Sequence, residues 1–266
     1  MKLKTVLVTG GSGEIGKSIS KSFLEKGFFV YIQGSKKESL KSISSELKFH
    51  KGNYKTIQFN ANEICKKNSS DKISYESIDI LVNAIGGGGI HESWENTSIE
   101  KWQHVYNLNV LAPVYFIKKV IPHLKNKRYG RIINIASISA TKTLNIGPEY
   151  NAAKAAVVNF TKSLAQEFKG THTTVNSISP GLVLTDLVKR VMCEKYKITN
   201  KNDEIKINGV ISKEFYPNLV LSLPKANEIA GFIEYLCSDN ARHITGQNII
   251  IDSGYSLSDF VKKSIE

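Results

Sequence analysis

Tyr150 and Lys154 stand four residues apart in a stretch, residues 150–168, whose apolar spacing predicts a helix, so their side chains share one face. Asn151, Ala152 and Ala153 lie between them, and the two alanines are small enough to admit a ligand. A phenol with an ordinary pKa near 10 is a poor proton donor or acceptor at neutrality. A lysine ammonium a few ångströms away stabilises the phenolate and draws that pKa toward the working range. Ser137 follows a buried apolar run, where its hydroxyl could bind the same reacting oxygen. Y-x-x-x-K alone arises often by chance, and its weight comes from what accompanies it. A second group, Gly10, Gly11, Ser12, Gly13 and Gly16, follows a β-rich run and opens a helical pattern. Glycines there let the backbone approach a pyrophosphate, whose charge the helix N-terminus holds. A glycine-rich turn before any helix has the same look; its place at the end of the first strand raises the dinucleotide reading.

The elements that must position these residues follow from periodicity. Residues 4–9 read as a strand, and Ile15, Ile19, Phe23 and Leu24 as a helix closed by Gly27. A second strand covers 28–32, Leu40, Ile43 and Leu47 mark a second helix, and 54–59 is a third strand. A polar stretch of weak helical character then runs to about Tyr75, before an apolar strand over 78–82 that ends in Asn83. Gly86 to Gly89 form a flexible turn, and 99–126 a long amphipathic helix interrupted at Pro113. Residues 131–136 form a fifth buried strand; 173–178 and 247–251 are further strands, with a helix over 227–237. Short buried strands alternating with helices predict an α/β fold, a parallel sheet covered on both faces. With no repeat, low-complexity tract or linker, residues 1–266 are expected to form a single domain. Residues 182–223 are the least regular region and read as a lid over the site, or as a cap on the core.

The 266 residues carry 36 Lys+Arg against 24 Asp+Glu, a formal charge of +12, with 41% hydrophobic residues. This is the composition of a folded chain, not a disordered one. Cys65, Cys193 and Cys237 are odd in number and far apart, which points to reduced thiols and a cytoplasmic protein. The six histidines show no ligand spacing, so no metal is expected. The N-terminal apolar run is too short for a signal peptide, and no run reaches the ~18 apolar residues of a membrane helix. Lysine pairs such as Lys36-Lys37 and Lys118-Lys119 are scattered and no nucleic-acid motif is present, so neither nucleic acid nor membrane is an expected partner.

Taken in order, the motifs resemble the short-chain dehydrogenase/reductase family across essentially the whole chain. They are T-G-x-x-G-x-x-G at Thr9 to Gly16, D-I-L-V-N-A at Asp79 to Ala84, N-L-N at Asn107 to Asn109 and G-R-I-I-N-I-A-S at Gly130 to Ser137. After Tyr150-x-x-x-Lys154 come V-N-S-I-S-P-G at Val175 to Gly181, I-T-G-Q at Ile244 to Gln247 and D-S-G-Y at Asp252 to Tyr255. The resemblance implies a Rossmann-type, doubly wound, seven-stranded parallel sheet, a nicotinamide cofactor and a catalytic tetrad of Asn109, Ser137, Tyr150 and Lys154. Tyr150 would exchange a proton with the substrate oxygen while hydride passes to or from the nicotinamide, and Lys154 would also hold the ribose hydroxyls. Implied cofactor contacts are Gly10, Ser12, Gly13, Ile15 and Gly16 in the first loop, then Gly34, Ser35 and Lys36, with Asn60 and Ala61. Asn83, Ala84, Tyr150, Lys154, Pro180, Gly181, Val183 and Thr185 complete them. Pro113 cannot donate to the carbonyl of Asn109, which leaves that carbonyl open to a water that in this family leads to the lysine; equally, Pro113 merely kinks a long helix.

The departures carry information too. Glu14 occupies the second glycine position of the single-domain subclass, and a carboxylate there repels a pyrophosphate unless it points outward. Asn60 stands where an aspartate commonly contacts adenine, and Asn83-Ala84-Ile85-Gly86 replaces N-N-A-G. Gln33-Gly34-Ser35-Lys36-Lys37 holds no carboxylate for the ribose hydroxyls and Lys36 could meet a 2′-phosphate, so NADP (NADPH) is favoured over NAD. The flavour is closest to 3-oxoacyl-acyl-carrier-protein reductases, with Lys125, Lys127, Arg128 and Arg131 as a docking patch for an acidic carrier. A sugar or specialised-metabolite dehydrogenase is the alternative enzyme, and a nucleotide-sensing or scaffold protein the alternative without catalysis. The resemblance also implies a homotetramer, burying apolar faces of the helices over 99–126 and 150–168.

Overall fold

A computed structural model describes residues 3–60, 73–89, 93–144, 146–214 (side chains to 211) and 222–257. Ala61, the polar stretch over 61–72 and Phe215, Tyr216 and Leu219 of the lid lie outside the described residues. Seven strands form one sheet: β1 (Thr5–Thr9), β2 (Phe29–Gly34), β3 (Tyr54–Gln58), β4 (Ile80–Asn83), β5 (Gly130–Ile135), β6 (Thr173–Pro180) and β7 (Asn248–Ile251). Their spatial order is β3-β2-β1-β4-β5-β6-β7, and every neighbouring pair is parallel. The chain winds outward from β1 to β3 and returns to lay β4 on the other side of β1. That reversal opens a crevice at the C-terminal strand ends, where open α/β sheets take their ligands.

Alternation along the strands splits the core. Val6 and Val8 of β1 face α1 (Glu14–Glu25), α2 (Lys37–Glu46) and α8 (Ala226–Cys237), packing on Ile19, Phe23, Ile43 and Ile233. Leu7, Leu81, Ile132 and Val175 point the other way, onto Phe116, Val120 and Leu124 of α4 (Ala112–Leu124), beside α5 (Pro148–Glu167). Above this second layer the apolar row gives way to a polar one. Thr9, Asn83 and Asn134 occupy matched register positions on β1, β4 and β5. Thr9 donates to Asn83 Oδ1 at 3.3 Å, Asn83 to Asn134 Oδ1 at 2.9 Å, and Asn134 to Thr161 Oγ1 of α5 at 3.0 Å. All four are buried to within 1%. Buried polar groups persist where each finds its partner, so this ladder fixes α5 to the strand ends in one register.

Two expectations change. The long helix over 99–126 is α3 (Ile99–Tyr106) joined to α4 by a π-helical turn, Asn107–Leu111, in which Ala112 donates to the Asn107 carbonyl. The break precedes Pro113, because a missing N–H disturbs the turn before it. Among its described residues, the region over 182–223 holds two helices, α6 (Asp186–Tyr196) and α7 (Glu204–Glu214). Leu184, Met192, Ile198, Ile207, Ile211 and Leu223 form a small core of their own on Ile138 and Tyr255.

Of the four basic residues at the start of β5 and just before it, three engage partners within the protein. Arg131 is 2% exposed, stacks on Tyr129 and donates to the carbonyls of Gly130, His172 and Ser238. Lys127 binds Asp79 at 2.7 Å, and Lys125 pairs with Glu167. The expected docking patch therefore shrinks to Arg128, and it lies at the N-terminal end of β5, away from the crevice. Cys237 is buried behind Tyr129, and burial pushes its thiol up to about 12, so it stays protonated.

Candidate active site

β1 delivers the chain into the glycine loop, and α1 leaves it. Gly10 has φ +64, and a side chain there would meet the Ala84 carbonyl at 2.6 Å. Gly13 begins α1 without any side-chain cap, so the first N–H groups of that helix are left for another acceptor. Gly10, Ser12, Gly13, Gly34, Ser35 and Ala84 line a cavity of about 200 Å³, together with Gln33, Phe59 and Leu108. A second cavity, of about 300 Å³, is lined by Ile15, Ala84, Ser137, Tyr150, Lys154, Pro180, Gly181, Val183 and Thr185, with Val188 of α6. The two share Ala84 and Gly86, so they form one elongated cleft across the strand ends. An uncapped helix N-terminus at its middle, with Ser137, Tyr150 and Lys154 at one end, fits a dinucleotide laid along it.

Other expected contacts stand apart from the lining. Gly16 is buried beneath the Gly10 carbonyl, where its lack of a side chain allows helix and loop to touch. Asn83 belongs to the polar ladder, and Lys36 and Asn60 are exposed beyond the cavity edge. Asn109 is wholly buried: it donates to the carbonyls of Gly87 and Val105, each at 2.8 Å, and accepts from the Gly87 amide at 3.2 Å. Its amide thus anchors the turn after β4 to the π-helical turn. A side chain at Gly86 would meet Asn109 Oδ1 at 2.9 Å and Lys154 Nζ at 3.0 Å, so Asn109 and Lys154 flank the same backbone.

Lys154 is 3% exposed and donates from Nζ to the Ile135 carbonyl at 2.9 Å. Burial pulls its pKa down from 10.5 to about 8. Tyr150, one helical turn earlier, has the lysine nitrogen 5.6 Å from its ring centre. Burial raises the phenol above its ordinary value, and a hydrogen bond with Ser137 pulls it back. The Ser137 hydroxyl thus opposes the effect of burial on the phenol. Gly89 lies against the Tyr150 ring, where a side chain would come within 3.3 Å.

Two contributors, Gln33 and Glu149, escape the motifs, and a third, Glu14, is visible in them only as a departure. Gln33 is buried at the end of β2, takes the Gly10 amide on its side-chain oxygen at 2.9 Å and donates to the Phe59 carbonyl at 2.7 Å. Its own carbonyl takes the Gly11 amide at 2.8 Å, so one residue holds the base of the glycine loop. Glu149, next to Tyr150, has a fully buried side chain that pairs with Lys101 of α3 at 3.3 Å. Glu14 turns away from the loop and accepts the backbone N–H of Asp186 at 2.8 Å. Nothing in the spacing marks Gln33 or Glu149; Glu14 is marked, as a departure, but its partner is 172 residues away.

The short chain dehydrogenase family model matches residues 4–195. A 7alpha-hydroxysteroid dehydrogenase of Bacteroides fragilis is 29% identical over 260 residues, covering 96% of this chain and 95% of that protein. An uncharacterized oxidoreductase of Bacillus subtilis is 30% identical over 259 residues, covering 96% and 97%. Among solved structures, L-sorbose reductase from Gluconobacter frateurii, complexed with NADPH and L-sorbose, superposes with a TM-score of 0.80 at 26% identity, covering 97% of this chain and 98% of that one. Among the described residues no helix is long and apolar enough to cross a membrane, and no group of three or more His, Cys, Asp or Glu is placed to hold a metal. A cleft at the strand reversal, built on this sheet order and matched along most of its length by one family, leaves a single assignment: the chain belongs to the short chain dehydrogenases, NAD(P)-dependent oxidoreductases acting at a hydroxyl or keto group.

Proposed function

We propose that this protein is an NADPH-dependent ketoreductase in which Tyr150 gives the proton and Ser137 holds the substrate oxygen. The observation that carries this is one cavity lined by Ser137, Tyr150 and Lys154 and continuous with the glycine loop. Bound along the cleft, the cofactor would be held by Gly10, Ser12, Gly13 and Ile15, by Gly34 and Ser35, and by Pro180 to Thr185, and would supply the hydride. As the substrate oxygen gains electrons, the Tyr150 hydroxyl passes its proton to it, with Ser137 donating to the same oxygen. Lys154, held on the Ile135 carbonyl, stands to stabilise the phenolate left behind and to donate to ribose hydroxyls. Asn109 orients the turn that separates it from Lys154. The rim of the adenosine end supports NADPH: Ser35, Lys36 and Lys37 are exposed there, with no carboxylate before Glu38.

A 3-oxoacyl group is the first substrate class to test, as a free thioester. A second reading, a ring or sugar ketone with its secondary alcohol, is supported by the hydroxysteroid and sorbose enzymes among the relatives and neighbours. It also needs no carrier docking, in keeping with the internal engagement of Lys125, Lys127 and Arg131. The test is oxidation of NADPH and NADH against a 3-oxoacyl thioester, a steroid ketone and a ketose, with parent and Tyr150→Phe. Turnover of one class, lost in the variant, is expected; no turnover of any carbonyl by the parent would favour a nucleotide-sensing role.

A further inference from the structure

We propose that Glu14 is a positioning residue: from the first turn of α1 its carboxylate caps α6 across the mouth of the cleft and holds that helix over the reacting groups. Asp186 is the first residue of α6, and its N–H has no acceptor within the helix. Thr185 takes the Val188 N–H on its hydroxyl at 3.3 Å, and Glu14 Oε2 takes the Asp186 N–H at 2.8 Å, so two orphan donors of the first turn are satisfied. A carboxylate is the acceptor that a helix N-terminus favours. The capped turn is also the one that reaches the cleft, since Thr185 and Val188 line the cavity that holds Ser137, Tyr150 and Lys154.

Packing alone holds α6 weakly. Met192 is its one buried residue, Val188, Cys193 and Tyr196 pack only in part, and Leu187 is 65% exposed and Val191 45%. Polar ties supply the rest: Lys189 of α6 pairs with Glu204 at 2.9 Å, and Glu204 also pairs with Lys225 at the start of α8. These ties join α6 to α7 and α8; Glu14 is the tie to the glycine loop itself. One side chain therefore links the helix that begins at the pyrophosphate position to the helix above the substrate. This gives the glutamate at a glycine position of the subclass a physical role instead of a penalty.

The test compares Glu14→Ala, which removes the acceptor, with Glu14→Gln, which removes the charge and keeps an oxygen acceptor. Amide hydrogen exchange of residues 186–189, in the protein without added nucleotide, is the first readout. Glu14→Ala is expected to exchange about tenfold faster there, the low end for a bond to a charged acceptor because this one is exposed, and Glu14→Gln within about threefold of the parent. NADPH dissociation by stopped flow is the second readout and rests on the proposed function; about tenfold faster release is expected from Glu14→Ala alone. The exchange arm does not need the nucleotide, so failure of the cofactor assignment leaves it readable. Exchange in Glu14→Ala equal to the parent, or equal tightening of NADPH in both variants as simple charge repulsion demands, would overturn the proposal.

Discussion

Replacing Lys154 by methionine should change the pH dependence of stability in a direction fixed by burial. The lysine is 3% exposed, and burial places its folded pKa at about 8, below the 10.5 of an unfolded lysine. Between those values the unfolded chain holds a proton that the folded protein has released, so stability rises with pH across that window and is flat below it. One pKa unit corresponds to 1.36 kcal/mol, so moving from pH 7 to 9.5 should add about 2 kcal/mol to the parent through this residue. Lys154→Met has no such gain. At pH 7 the variant is relieved of a buried charge worth about 3 kcal/mol over the full window, but leaves the Ile135 carbonyl without that donor, at about 1–3 kcal/mol. The two nearly cancel, so the variant should be close to the parent in stability at pH 7 while losing turnover. Urea unfolding of both proteins at pH 7, 8 and 9.5, without nucleotide, measures the difference, in which the other lysines and tyrosines cancel. Parallel curves, with the difference constant to within about 0.5 kcal/mol, would refute a titrating Lys154 in this range.

Tyr150→Phe should lower turnover by at least ~10²–10⁴ while leaving NADPH binding intact, as read by steady-state kinetics and a fluorescence titration. Cofactor choice is best tested at Ser35: a side chain at Gly34 would meet Ser12 Oγ at 2.7 Å and Leu40 at 2.9 Å, whereas Ser35 is exposed. Ser35→Asp should shift the NADH/NADPH preference by at least about tenfold through repulsion of a 2′-phosphate, and an unchanged ratio would place the phosphate elsewhere. Thr161→Val keeps the shape but strands the buried Asn134 Nδ2, so denaturation should show a loss of about 1–3 kcal/mol. Ala152 and Ala155 of α5 are exposed, and if such small residues seat a second copy, light scattering should give a multiple of 29.6 kDa, four copies being the expectation.

What the residues disclosed in advance, and what they did not, divides by the range of the interaction. The glycine loop, the strands and the Tyr150–Lys154 spacing were legible because each rests on neighbours a few positions apart: a helix repeats every turn, and a loop opens where a strand ends. The π-helical turn was half visible. Pro113 announces a lost hydrogen bond, but whether the chain kinks or widens depends on Asn109, which is held by Gly87 of the turn after β4. Residues 182–223 hid two helices although each carries an apolar stripe, Val188, Met192 and Tyr196 on α6 and Ile207, Val210 and Ile211 on α7, because the stripes are short and face a small core shared with Ile138 and Tyr255. The basic run around the start of β5 could not be weighed for a related reason. Charge in a sequence counts residues, not their partners, and Arg131 spends its charge on carbonyls and a tyrosine ring inside the protein. Glu14 shows the same limit at the site itself. Its misfit with the glycine pattern is local and readable, but its partner is the amide of Asp186, and any residue type could supply that amide. A side chain that binds backbone leaves no complementary residue to find, so such ties emerge only once the fold brings the two helix ends together.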